Sequence, residues 1–303
     1  ALKIQTYTAD TLTIDADLPR FRVAGGHELW GDRTLYGLYQ EAHTPWEWHE
    51  PIFKRCRELG LMAFSTPFDE TAVDFLETLD VPCYKIASFE NTDLPLIRKI
   101  AATGKPMIIS TGMASVAEID ETVRVAREAG CKDLILLKCT SSYPASPEDS
   151  NLLTIPHMQK LFNCPVGLSD HTMGGVVAVG SVALGGKMIE KHLTLRRADG
   201  GADSVFSMEP QEFADMVRDV RIMEKALGKP EYVLTDTQKI EHGGSRSLFV
   251  VKDVAAGEVL TPDNIRSIRP GDGLHTKYYE EILGKQAQRA LKKGEPLAWD
   301  MIV

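Results

Sequence analysis

Short apolar runs alternate with longer amphipathic stretches through the first three quarters of the chain. The runs predict strands at Leu2–Thr6, Met62–Thr66, Cys83–Ala87, Met107–Ser110, Leu134–Cys139, Val166–Ser169 and Met188–His192. The stretches between them carry helix signals. Thr44-Pro45-Trp46-Glu47 reads as a capping box with Pro at the first helical position, and Gly60 closes that helix. Ser115-Val116-Ala117-Glu118 repeats the device, with Gly130 as the stop. Further helices are expected from Asp93 to Gly104 and from Pro210 to Gly228, and Gly174-Gly175 opens an Ala/Val/Gly-rich helix suited to close helix–strand packing.

Strict β/α alternation implies a parallel sheet with right-handed crossovers. The expected fold class is α/β, a (β/α)8 TIM barrel over 1–228. Seven strands are legible where such a barrel has eight. Because the sequence starts inside a strand without Met, a first β/α unit is expected to be missing from this numbering. An open doubly wound sheet would bring a Gly-rich phosphate loop, and neither G-x-G-x-x-G nor G-x-x-x-x-G-K occurs. After Gly228 the pattern changes. A polar linker over 229–243 leads to a small β-rich domain over 244–303, with short runs at Ser247–Val251, Ile265–Ile268 and Pro296–Trp299.

Composition narrows the function. Net charge is −9, with no basic stripe, which argues against nucleic acid as the main partner. The five cysteines are odd in number and form no Cys-x-x-Cys pair, so a reducing, cytoplasmic setting is expected. Cys139 reads as a small buried hydrophobe. No apolar run approaches the ~18 residues of a membrane span, and no signal peptide is visible.

Polar residues fall at strand ends where a barrel is ordinarily filled with aliphatic side chains. His171 and His192 each end an apolar run, with Ser169 and Glu190 two residues earlier on the same face. Two imidazoles on adjacent strand ends are the start of a divalent-metal site; a hydrogen-bonded pair of core histidines is the competing reading. Lys3 and Gln5 share a face, Lys85 lies mid-strand, and Ser110, Thr111, Thr140, Ser141 and Tyr143 end strands. Buried lysines beside hydroxyls suggest a trianionic or phosphorylated ligand. Trp46, Trp48 and His49 fall in one helical turn, where they cap a core or shape a sugar pocket. Trp30 and Tyr36 precede them in a long loop suited to setting specificity.

These residues resemble the sialic acid synthase family. The likeness is carried by Lys3-Ile4-Gln5-Thr6, Phe64-Ser65-Thr66-Pro67-Phe68-Asp69, Lys85-Ile86-Ala87-Ser88-Phe89-Glu90, Ser110-Thr111-Gly112-Met113, Gly167-Leu168-Ser169-Asp170-His171-Thr172 and Ile189-Glu190-Lys191-His192. The tail from Ser245-Arg246-Ser247 to Ile268-Arg269-Pro270-Gly271 resembles that family's antifreeze-like (SAF) domain. Gln5 to Thr13 and His43 to His49 look like its pseudaminic acid branch. The resemblance implies condensation of phosphoenolpyruvate with an acetamido sugar, here 2,4-diacetamido-2,4,6-trideoxy-L-altrose, with release of phosphate. It also implies a Mn²⁺ or Mg²⁺ cofactor and a domain-swapped homodimer. By position it implies His171 and His192 as metal ligands. Lys3, Lys85, Ser88, Ser110, Ser141 and Ser169 would hold phosphoenolpyruvate. Gln5, Tyr143, Glu190 and Asp203 match acceptor-side or acid/base positions, and Glu90 is a candidate to activate or orient water. Arg269 matches the arginine that the antifreeze-like domain inserts into a neighbouring subunit's barrel. Ser141 departs from the Asn usual in neuraminate synthases. Neuraminate or legionaminate synthesis, a Schiff-base aldolase built on Lys85, and a non-catalytic sugar-binding protein are the alternatives.

Overall fold

A computed structural model describes residues 1–23 and 33–303. Trp30 lies outside the described residues. The chain forms two compact units, Ala1–Gly228 and Lys229–Val303.

In the first unit seven strands lie parallel in sequence order. They are β1 (Leu2–Thr6), β2 (Ala63–Pro67), β3 (Tyr84–Ile86), β4 (Met107–Ser110), β5 (Leu134–Cys139), β6 (Val166–Asp170) and β7 (Ile189–Lys191). Alternation along each strand assigns its two faces. The outward set, including Ile4, Tyr84, Ile86, Met107, Ile109, Leu134, Leu136, Val166 and Leu168, joins one large core with the surrounding helices. That core takes Phe53, Leu76, Ile97, Ile100, Val123, Ile155 and Phe162 from the helix faces. Each such side chain contributes ~1.5–3 kcal/mol by leaving water. The inward set begins as an apolar floor of Phe64, Cys83, Ile108, Leu137 and Met188. Two residues further along the strands it becomes Lys85, Ser110, Cys139, Ser169 and Glu190. The sheet curls: Lys3 of β1 and Glu190 of β7, strands that share no ladder, approach to 3.6 Å.

Several local expectations hold. Ser115 caps the helix Val116–Glu128, its hydroxyl accepting from the Glu118 N–H while the Glu118 carboxylate accepts from the Ser115 N–H at 2.7 Å. Gly60 and Gly130 end helical segments at φ of 68° and 107°, in the left-handed region that favours glycine.

Others are corrected. The Thr44 capping box does not form. Pro45 has extended backbone, a 3₁₀ turn spans Trp46–Trp48, and the α-helix runs His49–Glu58 without a side-chain cap. β2 starts one residue later than expected, and Met188 and His192 lie outside β7. Gly175 serves helix–helix rather than helix–strand contact. A Cβ there would sit 3.0 Å from the Met216 side chain of the helix Pro210–Leu227. In the second unit β8 (Ser247–Val250) pairs antiparallel with β9 (Ile265–Ile268) around a core that includes Leu248, Val250, Leu260 and Ile282. Pro296–Trp299 is not a strand: Pro296 makes one isolated bridge to Phe249, and Trp299 begins a 3₁₀ turn.

His49 ties the helix His49–Glu58 to the sheet. Its Nε2 lies 2.7 Å from Thr6 Oγ1, which lies 2.6 Å from Ser65 Oγ, and all three residues are fully buried. Burial drives the His49 pKa below 6.5, outweighing backbone hydrogen bonds that act the other way. The unfolded chain therefore binds this proton more readily. His49's contribution is complete above pH 6.5 and is lost as pH falls below it. We expect the melting temperature to fall on acidification below pH 6.5, with the folded-state His49 ring titrating by NMR below that value. A His49 titration midpoint at or above 6.5 would contradict this.

Candidate active site

The carboxyl ends of the first unit's strands gather three groups of polar side chains. The first is a charged centre. Glu190 lies 3.6 Å from Lys3 Nζ and 3.8 Å from Lys85 Nζ, and accepts from Ser169 Oγ at 3.2 Å. Register brings Ser169 and Glu190 side by side across β6 and β7. Burial works against the Glu190 charge, but Lys3 and Lys85, then His192, override it and hold the carboxyl at about 2. Lys85 is 1% exposed and donates to Ser110 Oγ and the Ile86 carbonyl, each at 2.7 Å. Burial pulls its pKa down to about 8, against the opposing pull of Glu190.

The second group is a rim of hydroxyls. Ser88 Oγ accepts from the Gly112 N–H at 3.1 Å, and Ser141 Oγ lies 3.8 Å from Cys139 Sγ. A Cβ on Gly112 would overlap Ser141 Oγ and sit 2.8 Å from Ser88 Oγ. The glycine is what lets these two hydroxyls converge. Asn91 fixes the turn that carries Ser88 and Glu90. It donates to the Ser110 carbonyl at 3.1 Å, and its own carbonyl accepts from Thr122 Oγ1 at 2.6 Å. Glu90 Oε2 is buried without a hydrogen-bond partner among the described residues. Burial pushes its carboxyl up to about 7, against its own backbone N–H and Lys85.

The third group is the histidine pair. The His171 and His192 rings are 5.2 Å apart and share Phe206 as a neighbour; Tyr143 packs 4.4 Å from His171. Each Nδ1 is occupied: His171 Nδ1 lies 2.9 Å from the Thr140 carbonyl, and His192 Nδ1 lies 3.3 Å from Asp203 Oδ2. The second nitrogen, Nε2, is the one left for a cation, and orientation through Nδ1 is the usual arrangement behind metal-bound imidazoles. Among the described residues no cluster of three or more His, Cys, Asp or Glu side chains forms a complete cage. The pair fits a cation that takes its other ligands from substrate or water. Cys139 is buried, as expected, and it also faces His171. Its thiol lies 3.9 Å from His171 Nδ1, and although burial raises the pKa, His171 brings it down to about 7.

With this geometry the family relationship is decided by the match to the NeuB family over residues 1–232. The chain belongs to the NeuB family. Residues 245–303 match the SAF domain. Among curated relatives, the pseudaminic acid synthase of Campylobacter jejuni is 44% identical over 297 residues, covering 98% of this chain and 86% of that one. The pseudaminic acid synthase of Helicobacter pylori is 43% identical over 302 residues, covering 99% and 88%. Among solved structures, the N-acetylneuraminic acid synthetase of Leptospira borgpetersenii in complex with citrate matches with a TM-score of 0.68 at 30% identity, over 80% of this chain and 79% of that one.

Of the site residues expected from the NeuB-like motifs, Lys3, Lys85, Ser110, Ser169 and Glu190 come together at the charged centre. Tyr143, His171, His192 and Asp203 come together at the imidazoles. Gln5 lies on β1 two residues beyond Lys3, on the same face. Arg269 is exposed in the second unit, just after β9. Trp46 is half-buried, stacked on Phe75 at 4.6 Å with its Nε1–H directed to the Tyr7 carbonyl, whereas Trp48 is exposed. The motif Ser110-Thr111-Gly112-Met113 assigns no role to Gly112, and its Ser-Thr-Gly run at a strand end is the signal that marks it. Gly112→Ala should fold normally and bind phosphoenolpyruvate ~10–100-fold more weakly, the loss of hydrogen bonds to a charged group. Calorimetry giving wild-type affinity would remove the hydroxyl rim from the site.

Proposed function

We propose that this chain condenses phosphoenolpyruvate with 2,4-diacetamido-2,4,6-trideoxy-L-altrose to give pseudaminic acid and phosphate. The observation that carries the reading is the cationic centre, Lys3 and Lys85 around one ionised Glu190, lying among the strand ends that also bring forward the histidine pair. The pseudaminic acid synthases at 43–44% identity over nearly the whole chain support it. Lys3 and Lys85 receive the carboxylate and phosphate of phosphoenolpyruvate, and Ser88, Ser110, Ser141 and Ser169 supply hydroxyls. None of these groups needs to form a covalent bond to substrate. Carbon 3 of phosphoenolpyruvate attacks the sugar aldehyde, held by Gln5, Tyr143 and Asp203; the carbonyl π electrons move to its oxygen, which takes a proton from water and becomes a hydroxyl. A divalent cation bound by His171 and His192, Mn²⁺ or Mg²⁺, would polarise that aldehyde as a Lewis acid. Water adds at carbon 2, giving up a proton to Glu90, and the tetrahedral intermediate expels phosphate. Glu190 stays ionised at neutral pH and balances the lysines. The Tyr143 phenol, its pKa raised chiefly by burial, stays protonated and serves as a donor. Extending the family pattern, the working form is a cytoplasmic homodimer in which Arg269 of the partner subunit completes the acceptor side.

Phosphate release from phosphoenolpyruvate across a panel of acceptors tests this reading. Release is expected with the diacetamido altrose, to be lost with EDTA and restored by Mn²⁺. Release only with the neuraminate or legionaminate acceptor would reassign the substrate, and no release with any acceptor would sink the proposal. Glu90 gives a second test. As a base whose carboxyl sits at about 7, it predicts that kcat/KM rises with pH through that value. Glu90→Gln should remove the rising limb and cost ~10²–10⁴-fold in rate. An unchanged pH profile in Glu90→Gln would take the base role from it.

A further inference from the structure

β6 and β7 end on a second charge pair that the reaction does not use. Asp170 and Lys191 are the last laddered partners of the two strands. They alternate with Ser169 and Glu190, so they lie on the opposite face of the sheet. Lys191 Nζ donates to Asp170 Oδ2 at 2.7 Å, and the two side chains are 1% and 2% exposed. Asp170 Oδ1 accepts from the Thr172 N–H at 2.9 Å and from its hydroxyl at 2.8 Å. Lys191 also donates to the Thr172 carbonyl. Each strand is thereby fastened one residue before it delivers a histidine.

Beyond this pair no ladder joins His171 to His192 among the described residues. Their backbones turn to separate partners. The His171 carbonyl accepts from the Ala145 N–H at 3.0 Å, and the His192 carbonyl accepts from the Met208 N–H at 2.8 Å. The last direct tie between the two strands is therefore the Asp170–Lys191–Thr172 clasp. Two buried charges are a poor way to gain stability, since a well-packed apolar pair does as well or better. What they add is direction: a slip or splay of either strand breaks several charge-assisted bonds at once.

We propose that the Asp170–Lys191 pair, with Thr172, is a positioning device that sets the spacing of His171 and His192 for a divalent cation. The inference rests on the assignment of those histidines as metal ligands. The test is Mn²⁺ alone titrated into the full chain, free Mn²⁺ being read by electron paramagnetic resonance. Phosphoenolpyruvate affinity is measured in parallel on metal-free protein. Asp170→Asn leaves Lys191 buried without its charge partner, so the charge-neutral Asp170→Asn/Lys191→Met variant is the principal one. It should melt cooperatively and bind Mn²⁺ ~10–100-fold more weakly, the usual loss when a group supporting a metal ligand is removed. Phosphoenolpyruvate affinity should change by less than about threefold, as expected for a site that does not share those partners. Native Mn²⁺ affinity in the folded double variant would overturn the proposal. So would loss of a cooperative transition in both variants, because the clasp would then be a requirement of the fold and not of the histidines. His192→Ala separates the underlying assumption: native Mn²⁺ affinity in that variant means the histidines are not the ligands, whereas its loss alongside a normal double variant means only the clasp has been misread.

Discussion

One carboxylate and two ammonium groups from three strands meet where solvent reaches them only in part, and that balance governs the rest of the site. Desolvating an isolated charge costs far more than a fold of this size can spare. Glu190 is tolerated because Lys3 and Lys85 flank it, and Lys85, fully buried, because Glu190 and Ser110 receive it. The balance is incomplete: two positive charges face one negative. An anion brought between the lysines completes it. A chain with a net charge of −9 thus carries a locally cationic interior, and overall charge says little about what this site recruits.

The same three residues bear on architecture. Within the seven-stranded sheet β1 and β7 are the two edge strands, each with a single laddered neighbour among the described residues. Lys3 and Glu190 bring these strands together through side chains. The inward face is layered to allow this. Phe64, Cys83, Ile108, Leu137 and Met188 fill the floor, and polar residues start only above it. With that floor closed, the charged layer borders protein on one side and opens only toward the strand ends, where barrel enzymes keep their chemistry.

The alternating strands and helices were legible because each strand's outward residues and each helix's inner stripe obey a local period. What was not legible depended on partners distant in sequence. Thr44-Pro45-Trp46-Glu47 has the residues of a cap, yet Trp46 stacks on Phe75 and reaches the Tyr7 carbonyl, and Pro45 stays extended, so the α-helix begins at His49. Cys139 reads locally as a small apolar residue; its relation to His171 arises from pairing of β5 with β6. Lys191 and Asp170 looked like ordinary charged residues within a motif, and only the strand register reveals that they neutralise each other in the interior. The expected site residues were named largely by resemblance. Spacing alone placed Ser169 with His171 and Glu190 with His192, but it could not bring Lys3 from β1 to Glu190 on β7.

Two glutamates of the same intrinsic acidity end up with different capacities because of what surrounds them. Glu190 has cations on several sides and is held at about 2, so it carries no proton at neutral pH. Glu90 has one oxygen buried without a partner, and Lys85 offsets only part of the cost of its burial, leaving it near 7. Environments that push two carboxyls apart are the general means by which one site separates electrostatic support from proton transfer. Lys85 bears on both carboxyls: it lies 3.8 Å from Glu190, where it acts after Lys3 to lower the pKa, and its charge also opposes the rise at Glu90. A ligand anion that draws Lys85 toward itself would weaken its hold on Glu90 and favour that carboxyl's taking a proton. Occupation of the cationic centre would in this way prepare the neighbouring base for its task.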